Sequence, residues 1–332
     1  MITTHTLGQV YTAATLAPAN ERVHTDWLTL QAGSVTEQLA FNHHLFGLEQ
    51  TATKSREWFD STQYYNAPVM TNDAALTLDA SELVAQVERV AKAGYQCKAV
   101  ILGPVSLVWS VECTDDSQRL ALLDKVLPLY AKLLSKLGET KLPWLQLDEP
   151  MLSQPLSREW THAYRSSYFR LQRAPVKIMV ASSFGALNKN LQLAAQLPVQ
   201  ALHIDACRAP EQVLRVIDWL PRHKILSLGV VSAESLVKAD LGDLLARLQP
   251  FAKRLKERLW LATNLSFQHL PVEDMDAEVA GTATAENAFV LQKIRELNTL
   301  AKALTEAGFS QPVRLPRSNR PDDVKRPAKQ VA

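Results

Sequence analysis

The sequence predicts an α/β protein built as a single (β/α)8 barrel of the TIM type, and three observations carry that reading. From Lys98 onward, short β-branched runs alternate with longer stretches of helical period, the signature of parallel βα units. Six such strand candidates follow one another and two more lie near the N-terminus, making the eight that a barrel needs. The rival, an open doubly wound sheet, usually carries a Gly-rich phosphate loop after its first strand. Neither G-x-G-x-x-G nor G-x-x-x-x-G-K-[ST] occurs here.

In chain order, the N-terminal strand candidates are Thr4–Val10 and Trp27–Gln31. Residues 32–97 are longer than one helical connection needs. Their aromatic-rich "SREWFDSTQYYNAPVM" reads as an insertion over one barrel end, between the second and third strands. The six later strands are expected at Lys98–Leu102, Trp144–Asp148, Val176–Ala181, Ala201–Asp205, Ile225–Val231 and Arg258–Asn264. Helices are expected near Ser117–Leu137, Glu159–Leu171, Ala186–Gln196, Glu211–Leu220 and Leu241–Lys256. A last long helix is expected over Ala285–Ala307, closed by Gly308 where a helix-ending glycine belongs. No internal repeat or low-complexity run interrupts the series.

The 332 residues are 47% hydrophobic, enough to bury a large core. A formal net charge of +2 gives no global field for nucleic acid or an acidic membrane. The barrel is expected over residues 1–310. Residues 311–332 differ: their stretch from Val313 on, "VRLPRSNRPDDVKRPAKQVA", carries six Lys/Arg against two Asp, with three prolines, and the segment reads as a solvated tail, a linker or a docking strap. Three cysteines without C-x-x-C spacing suit a reducing compartment. The N-terminus shows no basic start followed by an apolar core, and the longest apolar run, Ala99–Val111, is too short to span a bilayer. A cytoplasmic protein is the expectation.

Barrel chemistry lies at the C-terminal strand ends. Those ends offer Gly8 and Gln9, then Gly103 and Pro104. Next come Asp148, Glu149 and Pro150, then Ser182 and Ser183. His203 and Asp205 follow, with Arg208 just beyond, and last Asn264 and Ser266. This polar set, acidic in its middle, suits a ligand with an amine or several ring N–H donors. Asp148, Glu149, His203, Asp205, Ser183 and Asn264 are the candidates it supplies. Trp58 and Tyr65 of the insertion join them as rings that could stack on a planar ligand. Each also has a structural reading. Asp148 could pair with an arginine and close the barrel, His203 could be a satisfied core histidine, and Trp58, Tyr64 and Tyr65 could pack the insertion down. His203 and Cys207 are four apart with no partner Cys or His in zinc spacing, so no metal site is expected. No nucleophile elbow occurs, and no Ser or Cys has an obvious neighbouring base.

Several stretches resemble the N-terminal barrel of cobalamin-independent methionine synthase: "THTLG", "REWFDSTQYYNAPVM", "CKAVILGPVSLVWSV", "LPWLQLDEPML", "LPVQALHIDACRAPEQV" and "RLWLATNLS". They cover roughly Thr4–Leu304 in the family's order. The family enzyme has two face-to-face barrels. Its C-terminal barrel binds zinc and homocysteine, and its N-terminal barrel helps hold the polyglutamate tail of methyltetrahydrofolate. The resemblance therefore implies a role in methyl transfer to homocysteine, together with a separately encoded zinc-bearing barrel and with no cofactor bound by this chain. The alternative is a binding module for a pterin or an amine without chemistry.

The departures from the pattern are specific. The catalytic barrel's zinc ligands fall here on Ala181, Ser183, Asp205 and Leu265, of which only Asp205 could ligate well. The basic run after the family's first strand is replaced by "GQVYTAATLAPAN", with no basic residue until Arg22. A family lysine before the Trp-Phe pair is Glu57 here, with Arg56 preceding it, and a carboxylate there repels a polyglutamate tail. The Asp-Glu-Pro after strand four survives. In the catalytic barrel its Asp helps hold the amino acid, and Asp148 occupies that place.

Overall fold

The computed structural model describes residues 2–5, 28–30, 35–48, 53–71, 73–92, 97–113, 116–267 and 283–306. The expected strand ends at Gly8 and Gln9, the segment around Arg22, Gly308 and the basic 311–332 segment lie outside them.

Two short strands come first, β1 (Thr3–His5) and β2 (Leu28–Leu30), followed by helix α1 (Val35–Leu45). An antiparallel ribbon, β3 (Thr53–Glu57) and β4 (Tyr64–Pro68), and helix α2 (Ser81–Lys92) lead to β5 (Cys97–Leu102). From there α3 (Pro104–Ser110), α4 (Asp116–Glu139), β6 (Trp144–Asp148), α5 (Arg158–Leu171) and β7 (Lys177–Ser182) alternate. The series continues through α6 (Leu191–Gln196), β8 (Ala201–Asp205), α7 (Gln212–Trp219) and β9 (Ile225–Val231). It ends with α8 (Leu241–Leu255), β10 (Leu259–Thr263) and α9 (Ala283–Glu306).

Excluding the ribbon, the strands form one eight-stranded sheet in the order β1-β10-β9-β8-β7-β6-β5-β2. Every pairing in it is parallel. That is the chain-order sequence a barrel requires, with the two N-terminal strands at the two edges. Among the described residues no hydrogen-bonded pairing joins β1 to β2.

Alternation along the strands creates two faces. Odd-numbered residues of β5 and β6, such as Ile101 and Leu147, belong to one large apolar cluster with the helices. Even-numbered Trp144 instead joins Met179, Ala201 and Trp260 in a separate small cluster, with Ile225 packed on it. Trp144 and Trp260 meet edge to face at 5.1 Å. This second cluster is the apolar floor of the sheet's other face. Two residues further along β6, β8 and β9, that face turns polar, with Gln146, His203 and Ser227 all buried, while β7 and β10 place Ala181 and Ala262 there.

The later strand ranges read from sequence differ from the observed ones by one residue at the start of β5 and at each end of β7 and β10. The helix expected from Ala186 is shorter: a single 3-10 turn at Asn188–Asn190 precedes α6, and Asn188 sits at φ 48. α3 lies within the apolar run Ala99–Val111, where nothing polar marks the change from strand to helix. It starts with Pro104 at its first position, where a missing N–H costs nothing.

Candidate functional site at the carboxyl end of the sheet

Asp148 and Glu149 part company at the end of β6. Glu149 turns to the helix side and is fully buried. Its carboxylate accepts from the backbone N–H of Val105 (3.2 Å) and Ser106 (2.8 Å), and from the hydroxyls of Ser106 (2.6 Å), Tyr164 (3.0 Å) and Tyr168 (2.8 Å). The carboxylate satisfies the open N–H groups at the N-terminus of α3 and, through the two tyrosines, ties α3 to α5. Burial raises the Glu149 carboxyl above its ordinary range, and the donors pull it back. Gly103 lies so close that a Cβ there would run into the Glu149 carboxylate. As a ligand-binding group Glu149 has no lone pair to spare. It is the anchor of α3, where the sequence suggests a candidate for holding a ligand beside Asp148.

Asp148 turns to the interior and is partly exposed at the mouth. Its Oδ1 accepts from Gln146 Nε2 at 2.6 Å, and Gln38 of α1 also donates to it. Lys98 of β5, which is 1% exposed, donates from Nζ to Gln146 Oε1. Burial pushes the Asp148 carboxyl up to about 6 and the Lys98 ammonium down to about 7, and each partly offsets the other's penalty. No arginine pairs with Asp148 among the described residues. Its counter-cation is Lys98, acting through Gln146.

His203 stands on the same interior face, fully buried, with Nδ1 2.9 Å from Ser227 Oγ. Burial, and then the charge of Lys98, hold its imidazole down to about 3, so it is neutral at physiological pH. Asp205 shares that face at the strand tip. Its Oδ1 accepts from the backbone N–H of Cys207 (3.1 Å) and Arg208 (2.9 Å), shaping the loop after β8. Burial raises its carboxyl. Ser183 is half-buried beyond β7. Asn264, fully buried, braces the loop after β9 by accepting from Ala233 N–H at 3.0 Å.

Trp58 and Tyr65 do not face the mouth. Trp58 is 4% exposed and meets Phe59 and Tyr65 edge to face. Tyr65 donates to the Ser110 carbonyl at 2.9 Å and is held up to about 12, chiefly by burial. They pack the ribbon onto α3, as the structural reading of the insertion had it. The exposed ring of the ribbon is Tyr64, which donates to Glu57 Oε1 at 2.7 Å. Arg56 points the opposite way, 4.8 Å from the Trp109 ring and 3.7 Å from Glu112, so it does not offset Glu57.

The rings over the mouth are others. Phe59 stacks on Trp109 at 4.7 Å and on Phe184 at 5.8 Å. Both phenylalanines sit at positive φ, 48 and 65, a region that disfavours bulky residues. Arg208 holds this roof: its guanidinium lies 5.5 Å from Phe184, donates to Glu234 at 2.5 Å, and reaches Asp60 of the ribbon tip at 3.4 Å. Lys98 and Gln146 were legible as polar residues on otherwise apolar strands. The roof left no such signal, because it joins three distant segments.

Residues 40–256 match the family model described as cobalamin-independent synthase, N-terminal domain. A 5-methyltetrahydropteroyltriglutamate–homocysteine methyltransferase of Saccharophagus degradans is 41% identical over 256 residues, covering 76% of this chain and 33% of that protein. The chain thus spans about a third of the length of that curated relative. A B12-independent methionine synthase from a Shewanella species, solved in complex with selenomethionine, superposes with a TM-score of 0.66 at 12% identity, over 87% of this chain and 85% of that one. A methyltransferase from Methanosarcina mazei gives a TM-score of 0.59 at 10% identity, over 85% and 81%. At those identities the two structures establish likeness of fold. The sequence matches go further, and the chain belongs to the cobalamin-independent methionine synthase family, in the part that corresponds to its N-terminal domain.

Proposed function

We propose that this chain is a barrel component of cytoplasmic methionine biosynthesis. It supports methyl transfer from 5-methyltetrahydrofolate polyglutamate to homocysteine beside a separate zinc-bearing catalytic barrel. The observation that carries this is the 41% identity to a protein named for that reaction, of which this chain spans 33%. Closure of the eight strands into a full ring, through pairing of β1 with β2, belongs to the same reading; the strand order supports it.

The assignment of zinc to the other barrel is supported by side-chain chemistry. The family's ligand positions fall on Ala181, Ser183, Asp205 and Leu265. Asp205 already gives Oδ1 to two backbone N–H groups, and Leu265 is an apolar core residue. Among the described residues no group of three or more His, Cys, Asp or Glu side chains converges as a metal set. No thiolate pair is there to hold the metal that activates a thiol.

The test is methyl transfer by the purified chain with and without a zinc-bearing barrel of the family. Activity that appears only with the partner is the expected result. Turnover by the chain alone, or no stimulation, overturns the proposal. A second reading, a non-catalytic pocket for an amine or pterin, is favoured by one observation: Asp148 is the interior carboxylate left partly open at the mouth. L-methionine is a fitting probe, since the Shewanella relative was solved with its selenium analogue. Saturable binding lost in Asp148→Asn supports this reading, and binding that survives the substitution sinks it.

A further inference from the structure

The interior side of β6 holds a buried cation with no assigned task. Lys98 begins level with Trp144, in the floor, and its side chain runs up toward the mouth. Its ammonium can only donate, so the Gln146 carbonyl must face it and the Gln146 amide must face Asp148. Chemistry thus fixes the order: the cation innermost, the amide dipole between, the anion at the opening. Gln146 is fully buried, so the amide has no water to trade for these partners.

The other groups that face the pair among the described residues are few. His203 of β8 feels the Lys98 charge and is neutral. Gln38 of α1 donates to Asp148, and Glu149, behind β6, adds negative charge near it. Asp148 favours the cationic form of Lys98, its field opposing the penalty of burial.

We propose that Lys98 is the internal counter-cation of Asp148, wired to it through Gln146, and that a cationic ligand docking on Asp148 expels the proton from Lys98. The proposal rests on the amine-pocket reading above and deepens it. With the ligand ammonium on Asp148 and any ligand carboxylate left in water at the mouth, the interior would hold two cations against one carboxylate, and like charges in a poorly screened site repel strongly. Relief comes when the Lys98 N–H bond breaks. The electron pair stays on Nζ and the proton leaves to water. The ligand's charge replaces the proton's, and the interior stays near neutral.

The test uses the whole chain and two measurements. First, L-methionine is titrated calorimetrically at pH 7 in buffers of different ionisation enthalpy. 4-(Methylthio)butanoate, which lacks the amine, is the control. The expected result is release of a fraction of a proton per L-methionine, set by how far Lys98 is charged at that pH. None is expected for the control, and none for Lys98→Met or Gln146→Leu. Binding without proton release, or release that survives Lys98→Met, overturns the proposal.

Second, Lys98 and Asp148 are titrated by NMR without ligand. In Asp148→Asn the Lys98 midpoint should fall by at least about one pH unit. In Lys98→Met the Asp148 midpoint should rise. Unmoved midpoints overturn the relay even where L-methionine binds. Shifted midpoints with no L-methionine binding support the relay and overturn only the amine reading of the pocket.

Discussion

On the helix side of β6, Glu149 receives five donors from α3 and α5 and holds two helices to the sheet. On the interior side, Asp148, the preceding residue, receives Gln146 and Gln38 and keeps part of its surface at the mouth. Both carboxyls are raised by burial. What differs is how the charge is met. Glu149 is satisfied by backbone and hydroxyl donors that hold the fold, and Asp148 by a proton carrier one amide away. A carboxylate fully enclosed by backbone and hydroxyl donors is structural. One left partly open, with a titrating partner, is equipped to respond to a ligand.

The contrast can be broken most sharply at Glu149. Glu149→Ala strands the α3 N–H groups and three hydroxyls in the core, and is expected to cost about 3 kcal/mol or more. Chemical denaturation measures this, and a loss under about 1 kcal/mol would show that water or a rearranged α3 replaces the carboxylate. Gly103→Ala attacks the same anchor from the other side, because the added methyl meets the carboxylate. A loss of about 1–3 kcal/mol is expected. Tyr65→Phe removes only the bond to the Ser110 carbonyl, and its midpoint shift should correspond to about 1 kcal/mol.

Asp148→Asn sharpens the comparison by its small effect. Lys98, lowered to about 7, sheds its proton rather than stay an unpaired buried cation, so stability at pH 7 should stay within about 1 kcal/mol of the parent. Lys98→Met should change little at pH 7 but alter the pH profile. The folded-state value of Lys98, about 7, lies below its ordinary 10.5. Between those values the unfolded chain binds a proton that the folded chain does not, so this group makes stability rise with pH. Asp148, raised to about 6, acts in the opposite sense below that: its contribution is lost as pH rises from about 4 to 6. Lys98→Met should therefore flatten the rise in stability above pH 7. It should not abolish it, since buried Lys224, held down to about 8, acts in the same direction.

Much of the frame was legible because it is local. The run Trp144–Asp148 is apolar, is closed by Pro150, and becomes β6 with those ends. Ala201–Asp205 and Ile225–Val231 likewise match β8 and β9. Position within a strand also announced which residues come near the mouth. Asp148, His203 and Asp205 lie on the interior face because their strands alternate and β6 and β8 run parallel within one sheet. The site itself was only half legible. Trp58 and Tyr65 carried a signal for ring stacking, yet their partners are Phe59 and the Ser110 carbonyl. Nothing in the stretch around Trp58 tells a buried ring from an open one.

The sequence by itself determined the alternation of parallel strands and helices, because hydrophobic period and turn residues act over a few positions. It also determined the chemistry available at each strand end, and its motifs identified the family. Only the tertiary structure decided which carboxylate serves the fold and which faces the opening, because that depends on donors supplied by α3, α5 and α1. The same is true of Lys98. Its place in a strand is local, but its coupling to Asp148 exists only because β5 and β6 are neighbours in register, with one glutamine between the two charges.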